Sequence, residues 1–330
     1  MMKPSWWPDT SANTQPMTEH PKQKNLRDLL EHGRFVLTAE ITPPLSAGAD
    51  DMLQPADELK DAVDAINVTD GASARVHMSS IAAATLLKRA GIEPIVQITC
   101  RDRNRIALQG DLLGAAALGV ENVLVLGGDQ VTAGDHPEAK AVFDLSSQEL
   151  LAALHAMTKR GEILSGRKLD TPPRFLLGAA DTVIDPPAEW QAEKLAAKAS
   201  AGATFVQTQF CYDADLLRRY MKSLEEQGLT ERLHFLIGVG PLRSAKSAIW
   251  MRDKLYGTAM PDEVIGRLKQ AADPLAEGIQ ICAELLQQFQ EIPGVAGAHL
   301  MAPKNLAAIP ESIRASRVLS GRKTSRLRSG

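Results

Sequence analysis

Cysteine is scarce in this chain of 330 residues, and Cys100, Cys211 and Cys282 share neither a CxxC spacing nor an even count. That excludes a disulfide framework and a zinc ribbon, and it suits a reducing, cytoplasmic setting. No apolar stretch approaches the length of a membrane span, so no membrane partner is expected. Charge of one sign is missing too: the formal net charge is -3, which argues against a nucleic-acid binder that works by neutralising phosphates. His77 and His136 have no ligand partners at metal spacing, and no metal is expected. A glycine-rich GxGxxG turn is absent after the first apolar run, which argues against an open doubly wound dinucleotide-binding sheet.

What the chain does have is repetition. Eight short apolar runs recur about every thirty residues: Val36 to Ile41, Asp64 to Thr69, Pro94 to Thr99, Asn122 to Gly127, Arg174 to Gly178, Thr204 to Gln209, His234 to Val239 and Gly297 to Met301. Between them, helical patterns run over Asp50 to Asp61, Ser79 to Ala90, Arg103 to Leu118, Ser146 to Thr158, Ala188 to Ala201, Asp213 to Gln227, Ser244 to Leu255 and Ala271 to Gln290. Gly91, Gly119, Gly202 and Gly228 stand where helices should stop. Eight apolar runs alternating with helical patterns, four of them closed by glycine, predict an α/β fold, a (β/α)8 TIM barrel in a single domain, with its chemistry at the carboxyl rim of the strands.

Three regions follow from composition. Residues 1–24 are polar, hold four prolines with Trp6 and Trp7, and lack the apolar core of a signal peptide. They are expected to form an extension docked by its tryptophans onto the barrel or a partner subunit. Residues 25–313 make the catalytic barrel. Residues 314–330 form a basic tail with Arg314, Arg317, Arg322, Lys323, Arg326 and Arg328, expected to be a solvated terminus.

The runs end in polar residues, and those ends predict the site. A carboxylate or amide at a strand's carboxyl end faces the open mouth or is specifically paired, because the barrel interior is apolar. Glu40 ends the first run and is followed by Pro43 and Pro44, which stiffen the exit turn. Partly desolvated in the mouth, it is expected to serve as a general acid. Thr69 and Asp70, Gln97 and Thr99, Asp129, Asp181 and Gln209 occupy the other ends. Gly127 and Gly128 allow a ligand close to the backbone beside Asp129. The amide of Gln209 can pair with both donor and acceptor edges of a heterocycle.

In order along the chain, these motifs resemble the methylenetetrahydrofolate reductases. Glu40-Ile41-Thr42-Pro43-Pro44 is similar to the family's first-strand motif. Thr69, the Thr99-Cys100 pair, Gly128-Asp129, and Lys198 leading to Thr208-Gln209-Phe210 follow at the family's spacing. The match extends from about Arg34 to Ile309.

The resemblance implies a flavin barrel with FAD as cofactor and NADH or NADPH as co-substrate, acting on a tetrahydrofolate. It implies Glu40 as the acid that protonates the folate at N10, and Asp129 as the charge beside flavin and pterin. Thr69, Gln97, Gly127, Gly128 and Asp129 then belong to the cofactor site, with Lys198 near the cofactor's phosphates or ribityl chain. Gln209 belongs to the pterin, together with Glu40 and Asp129. Some members of the family carry His where this chain has Gln97 and Arg where it has Gly127. A flavin-holding Tyr is missing from Gly178 to Thr182, and an aromatic from Gly240 to Ala245. Arg101, Arg103 and Arg105 are candidates to replace lost phosphate contacts, or else form an exposed charged helix start. Three functions stay open: reduction of the methylene folate, physiological oxidation of methyltetrahydrofolate in a demethylation pathway, or a folate- or flavin-binding subunit that takes electrons from a partner protein. A homo-oligomer is expected. His299 is expected to be a satisfied rim or core histidine, and Cys211 has no His placed to activate it.

Overall fold

In the computed structural model, residues 25–318 are described, and eight parallel strands close into a barrel in chain order. They are β1 (Val36–Ile41), β2 (Ala65–Val68), β3 (Pro94–Thr99), β4 (Asn122–Leu126), β5 (Leu176–Asp181), β6 (Phe205–Phe210), β7 (His234–Val239) and β8 (Val295–Leu300). Closure is made by β1 against β8, where Thr38 stands opposite His299. The predicted (β/α)8 architecture is the observed one. Trp6, Trp7 and the basic residues from Arg322 onward lie outside the described residues.

Alternation of side chains along each strand sorts the residues into two cores. Leu37, Ala39 and Ile41 of β1 point outward and join the large layer packed under the helices. Val36 points inward and meets Ala65, Ile95, Leu124, Leu176, Phe205 and Leu236 in a plug at the lower end of the barrel. Helix α1 (Leu26–Glu31) seals that end with Leu26, Leu29 and Leu30. Its start is capped by Asn25, whose side chain accepts from the Asp28 amide at 2.8 Å. A six-residue helix gives too short a periodic signal to be read from sequence.

The surrounding helices are α2 (Ala49–Asp57), α3 (Ser80–Arg89), α4 (Arg105–Ala117), α5 (Ser147–Arg160), α6 (Glu193–Ser200), α7 (Ala214–Glu226), α8 (Ala245–Lys254), α9 (Asp262–Gln270), α10 (Pro274–Glu291) and α11 (Ala308–Ser316). The helix read over Ala271 to Gln290 is observed as α10, starting three residues later because Asp273 caps the amides of Leu275 and Ala276 and Pro274 opens the first turn. The segment before it forms the separate α9. Arg314, assigned to the tail, lies inside α11, which packs on α10.

β5 also departs from expectation, running to Asp181 rather than stopping at Gly178. Gly178, Ala179 and Ala180 are poor strand formers, yet β4 and β6 on either side supply ladder partners through Ala179 and Asp181 respectively. Gly178 has to be glycine because a Cβ there would run into the Phe205 ring. Helix α8 stays at the rim and buries only Ala248. The loop after it crosses the end of β6, where the Ala259 amide donates to the Phe210 carbonyl at 3.0 Å and its carbonyl accepts from Tyr212 at 2.8 Å.

Candidate active site

Two residues above the apolar plug, the inward positions turn polar. Thr38 and Asn67 are fully buried, Gln207 and His299 are each 3% exposed, and Gln97 is 5% exposed. Such groups are tolerated only when paired, and they are. Asn67 Nδ2 donates to Gln207 Oε1 at 2.6 Å, and Gln207 Nε2 returns a bond to Asn67 Oδ1 at 3.0 Å. Gln207 Nε2 also lies 3.2 Å from Thr38 Oγ1 and 3.3 Å from His299 Nδ1, while Thr38 Oγ1 is 2.9 Å from that same ring nitrogen. Above this layer stands Glu40. Its Oε2 accepts from Gln97 Nε2 at 2.7 Å and lies 3.5 Å from His299 Nε2. The Glu40 side chain is a quarter exposed. A carboxyl in the open mouth is thus held from beneath by an amide and an imidazole.

Gln97, expected at a cofactor, is therefore a partner of Glu40, from which it is separated by 57 positions in sequence. His299 is paired at Nδ1 with Thr38, and its Nε2 faces Glu40 Oε2 at 3.5 Å. Thr69 is 5% exposed, and its hydroxyl is buried without a hydrogen-bond partner among the described residues. Gly127 opens onto free space, and Gly128 has φ +94° with Thr99 and Arg101 pressed against it. Asp129 follows on an exposed loop, where its Oδ2 accepts from the Ser73 amide at 3.1 Å. Ser73 and Ala74 are held left-handed there, with φ 56° and 54°. Gln209 is half-buried, and its Oε1 accepts from the Phe210 amide at 3.0 Å.

The arginines after β3 are engaged within the protein. Arg101 is 3% exposed. It forks onto Asp102 and reaches the carbonyls of Gly71 at 3.1 Å and Asp129 at 3.4 Å, so it braces the loops after β2, β3 and β4. Arg103 pairs with Asp70, which also accepts from Ser80 and from both the amide and the hydroxyl of Thr99. Arg105 pairs with Asp144. A cleft of about 380 Å³ opens beside the mouth between these loops, lined in part by Arg75, His77, Arg101, Arg103 and His136.

At the opposite side of the rim, Lys198 of α6 donates to the Ala180 carbonyl at 2.6 Å and lies 3.9 Å from Asp181. Asp181 also accepts from the Tyr220 hydroxyl of α7. Burial pushes the Asp181 carboxyl above the usual range, and the Tyr220 hydroxyl and the Lys198 charge oppose that rise. The thiols are inert: burial pushes Cys100 up to about 11 and Cys211 and Cys282 up to about 12. Among the described residues no group of three or more His, Cys, Asp or Glu side chains is arranged to hold a metal ion, and no helix is long and apolar enough to cross a membrane.

The fold recurs widely among solved structures. An F420-dependent secondary alcohol dehydrogenase in complex with an F420-acetone adduct superposes with a TM-score of 0.53 at 14% identity, covering 86% of this chain and 100% of that one. DmoA from Hyphomicrobium sulfonivorans gives 0.51 at 12% identity, covering 85% and 86%. These likenesses show the barrel and nothing finer. In sequence, the chain is 23% identical over 248 residues to a probable methylenetetrahydrofolate reductase (NADPH) of Caenorhabditis elegans. That stretch is 73% of this chain and 34% of the relative, so the chain spans about a third of the longer protein's length. The sequence profile of methylenetetrahydrofolate reductase matches residues 25–316, from the helix that plugs the barrel to the helix that follows its last strand, and the chain therefore belongs to the methylenetetrahydrofolate reductase family.

Proposed function

We propose that the chain interconverts 5,10-methylenetetrahydrofolate and 5-methyltetrahydrofolate, with NADH or NADPH as co-substrate and FAD as resident cofactor. The observation that carries this reading is Glu40, a carboxyl in the barrel mouth fixed by Gln97 and His299. The residues present fit a flavin. Thr69 offers a buried hydroxyl with no partner among the described residues, Gly127 leaves backbone open to a flat ring, and Lys198 stands at the β5 end with its side chain 23% exposed. Thr69, Gly127, Gly128, Asp129 and Lys198 would hold the group, with Gln97 beneath. When bound, the flavin supplies the two-electron chemistry that accepts and returns a hydride.

The chain's own residues do the acid work. Glu40 gives a proton to N10 of the methylene folate, the N10–methylene bond breaks, and a cationic iminium forms at N5. Hydride addition to that carbon completes the methyl group. Asp129, anchored by the Ser73 amide, offers negative charge to the cation as it develops. Gln209 turns its amide to the pterin edge. In the reverse direction Glu40 takes the proton back from N10, so one set of groups serves oxidation of the methyl folate as well. A cytoplasmic setting suits three free, buried cysteines.

The test is the visible spectrum of the purified protein, followed by anaerobic addition of NADH or NADPH and then of 5,10-methylenetetrahydrofolate. A flavin band that bleaches with nicotinamide and returns with folate is the expected result. A colourless protein that gains no activity with added FAD would overturn the self-sufficient flavoenzyme.

A further inference from the structure

We infer that the buried amide pair Asn67–Gln207 is a positioning device. It fixes the proton of His299 on Nε2 and thereby decides which oxygen of Glu40 carries the catalytic proton. The inference rests on the reading of Glu40 as the acid.

The argument is a count of hydrogens. Gln207 Nε2 has two. The reciprocal pair with Asn67 takes one, at 3.0 Å to Asn67 Oδ1. The other points at Thr38 Oγ1 and His299 Nδ1, at 3.2 and 3.3 Å. Thr38 Oγ1 accepts from the amide, so its own hydrogen is free for His299 Nδ1 at 2.9 Å. Both neighbours of Nδ1 are thus donors, and a ring nitrogen facing only donors is the acceptor. The ring hydrogen is left on Nε2, which faces Glu40 Oε2 at 3.5 Å.

Glu40 Oε2 then accepts from Gln97 at 2.7 Å and has the His299 Nε2–H facing it at 3.5 Å. An oxygen already facing two donors is a poor seat for a hydroxyl hydrogen. The proton of Glu40 accordingly sits on Oε1, which has no hydrogen-bond partner among the described residues and belongs to a side chain that is one quarter exposed to the mouth. With the opposite ring tautomer, a bare Nε2 would draw that proton to Oε2, down and away from substrate. Asn67 is the neighbour of Glu40 in the β1–β2 ladder, but its side chain and that of Gln207 hydrogen-bond each other rather than the carboxyl, and they act through Thr38 and His299.

The experiment is a two-bond proton–nitrogen correlation spectrum of the whole chain labelled with [15N]histidine, the His299 signals being assigned by their loss in His299→Asn. The expected parent spectrum shows a pyridine-type Nδ1 and a pyrrole-type Nε2. Gln207→Glu places an acceptor where the donor was. It should move a hydrogen onto Nδ1 and slow folate-dependent reoxidation by about 10- to 100-fold, less than the roughly 10⁴-fold loss of a triad histidine held in the wrong tautomer, because His299 acts only through Glu40. Reduction by nicotinamide should keep its rate. Gln207→Met, which keeps the volume without donor or acceptor, leaves the Thr38 hydroxyl equally able to donate or accept and should give a mixture of both ring forms; a pure parent form in this variant would overturn the role of the amide pair. A pyrrole-type Nδ1 in the parent would overturn the inference, as would a Gln207→Glu chain whose ring and folate step are both unchanged. Because the spectrum needs no folate or nicotinamide, the parent and Gln207→Met ring forms together decide the matter even if Gln207→Glu does not fold. A chain with the expected ring but no folate turnover would sink the reductase reading while supporting the assignment of the tautomer.

Discussion

The lower and upper halves of the barrel interior are built from the same strands, two residues apart, and they obey different rules. Val36, Ala65, Ile95 and Phe205 fill the lower layer with apolar side chains under the seal of α1. One pleat further along come Thr38, Asn67, Gln97 and Gln207, each buried and hydrogen-bonded. In the lower layer, shape decides: any apolar group of the right volume serves, and a missing one leaves a cavity. In the upper layer, hydrogen-bond direction decides, because a buried donor or acceptor without a partner costs about 1–3 kcal/mol. The lower half holds the fold, and the upper half can then afford a carboxyl in its mouth.

The sharpest way to break this comparison is at Glu40. Glu40→Gln keeps the volume and the contact with Gln97 but has no proton to give, so folate turnover should fall by roughly 10²- to 10⁴-fold, the usual worth of a general acid. Reduction by nicotinamide should survive, since it needs no proton on N10. Stopped-flow measurement of the two half-reactions separates them. Equal loss in both would mean that Glu40 holds the cofactor rather than the folate proton.

The matching cut in the lower layer is Phe205→Ala. Phe205 is fully buried against Gly178, and its removal should lower stability by about 3–5 kcal/mol in a denaturant titration. Turnover per folded molecule should change far less than in Glu40→Gln. A Phe205→Ala chain of normal stability but poor turnover would refute the division of labour between the two layers.

A smaller effect is expected at the β5 end, where the half-buried Asp181 sits beside Tyr220 and Lys198. Burial raises its folded pKa above the ordinary aspartate value of 3.8. The folded state therefore holds the proton more firmly than the unfolded chain. Stability from this group is full below 3.8 and is lost as pH rises through the raised value. Tyr220→Phe removes the hydroxyl that offsets part of that loss, so it should cost about 1–3 kcal/mol at neutral pH. The cost should shrink on acidification, because the ionised carboxylate is the form that needs the donor. Urea titrations of parent and variant from pH 7 downward give the difference, and a cost that grew toward acid would reverse the sign argued here.

Legibility in the sequence followed the same division. Strand number, order and the bounds of β1, β3 and β7 were readable, because apolar runs separated by glycine-ended helices leave few other folds. Glu40, Thr69, Asp129 and Gln209 were readable as strand ends. The role of Gln97 was not, because its partner lies two strands away and only the barrel register brings them together. Thr38, Asn67 and Gln207 were missed as a set. A signal was present: an amide in the middle of Ala65-Ile66-Asn67-Val68 and another in Phe205-Val206-Gln207-Thr208 are costly unless paired, and two such amides on different strands of one barrel ask for each other. Arg101, Arg103 and Arg105 read as free cations because their carboxylate partners cannot be assigned from sequence alone. Only Asp102 is adjacent, while Asp70 and Asp144 lie 33 and 39 positions away from their arginines.

The smallest expected effect lies on the surface, at the Asp144–Arg105 pair. Asp144 accepts from Arg105 Nε at 2.9 Å and from the Arg105 backbone amide at 2.9 Å, so it closes the first turn of α4 from a separate loop. With the Val142 amide bound to the Arg101 carbonyl at 2.7 Å on the other side, it holds Phe143 in a left-handed conformation, φ 41°, that a bulky residue avoids when free. The Arg105 guanidinium, followed by its backbone amide, draws the Asp144 carboxyl down to about 2. For an acid whose folded pKa is depressed, the stabilisation is present above the unfolded value of 3.8 and is lost as pH falls through about 2. Asp144→Asn should therefore differ from the parent above pH 4 and converge with it toward pH 2. The guanidinium part should weaken in high salt, because an exposed pair is screened, whereas the bond to the backbone amide should persist. If the difference between parent and variant vanished entirely in salt, the loop would be held by charge alone, and the left-handed turn at Phe143 would need another support.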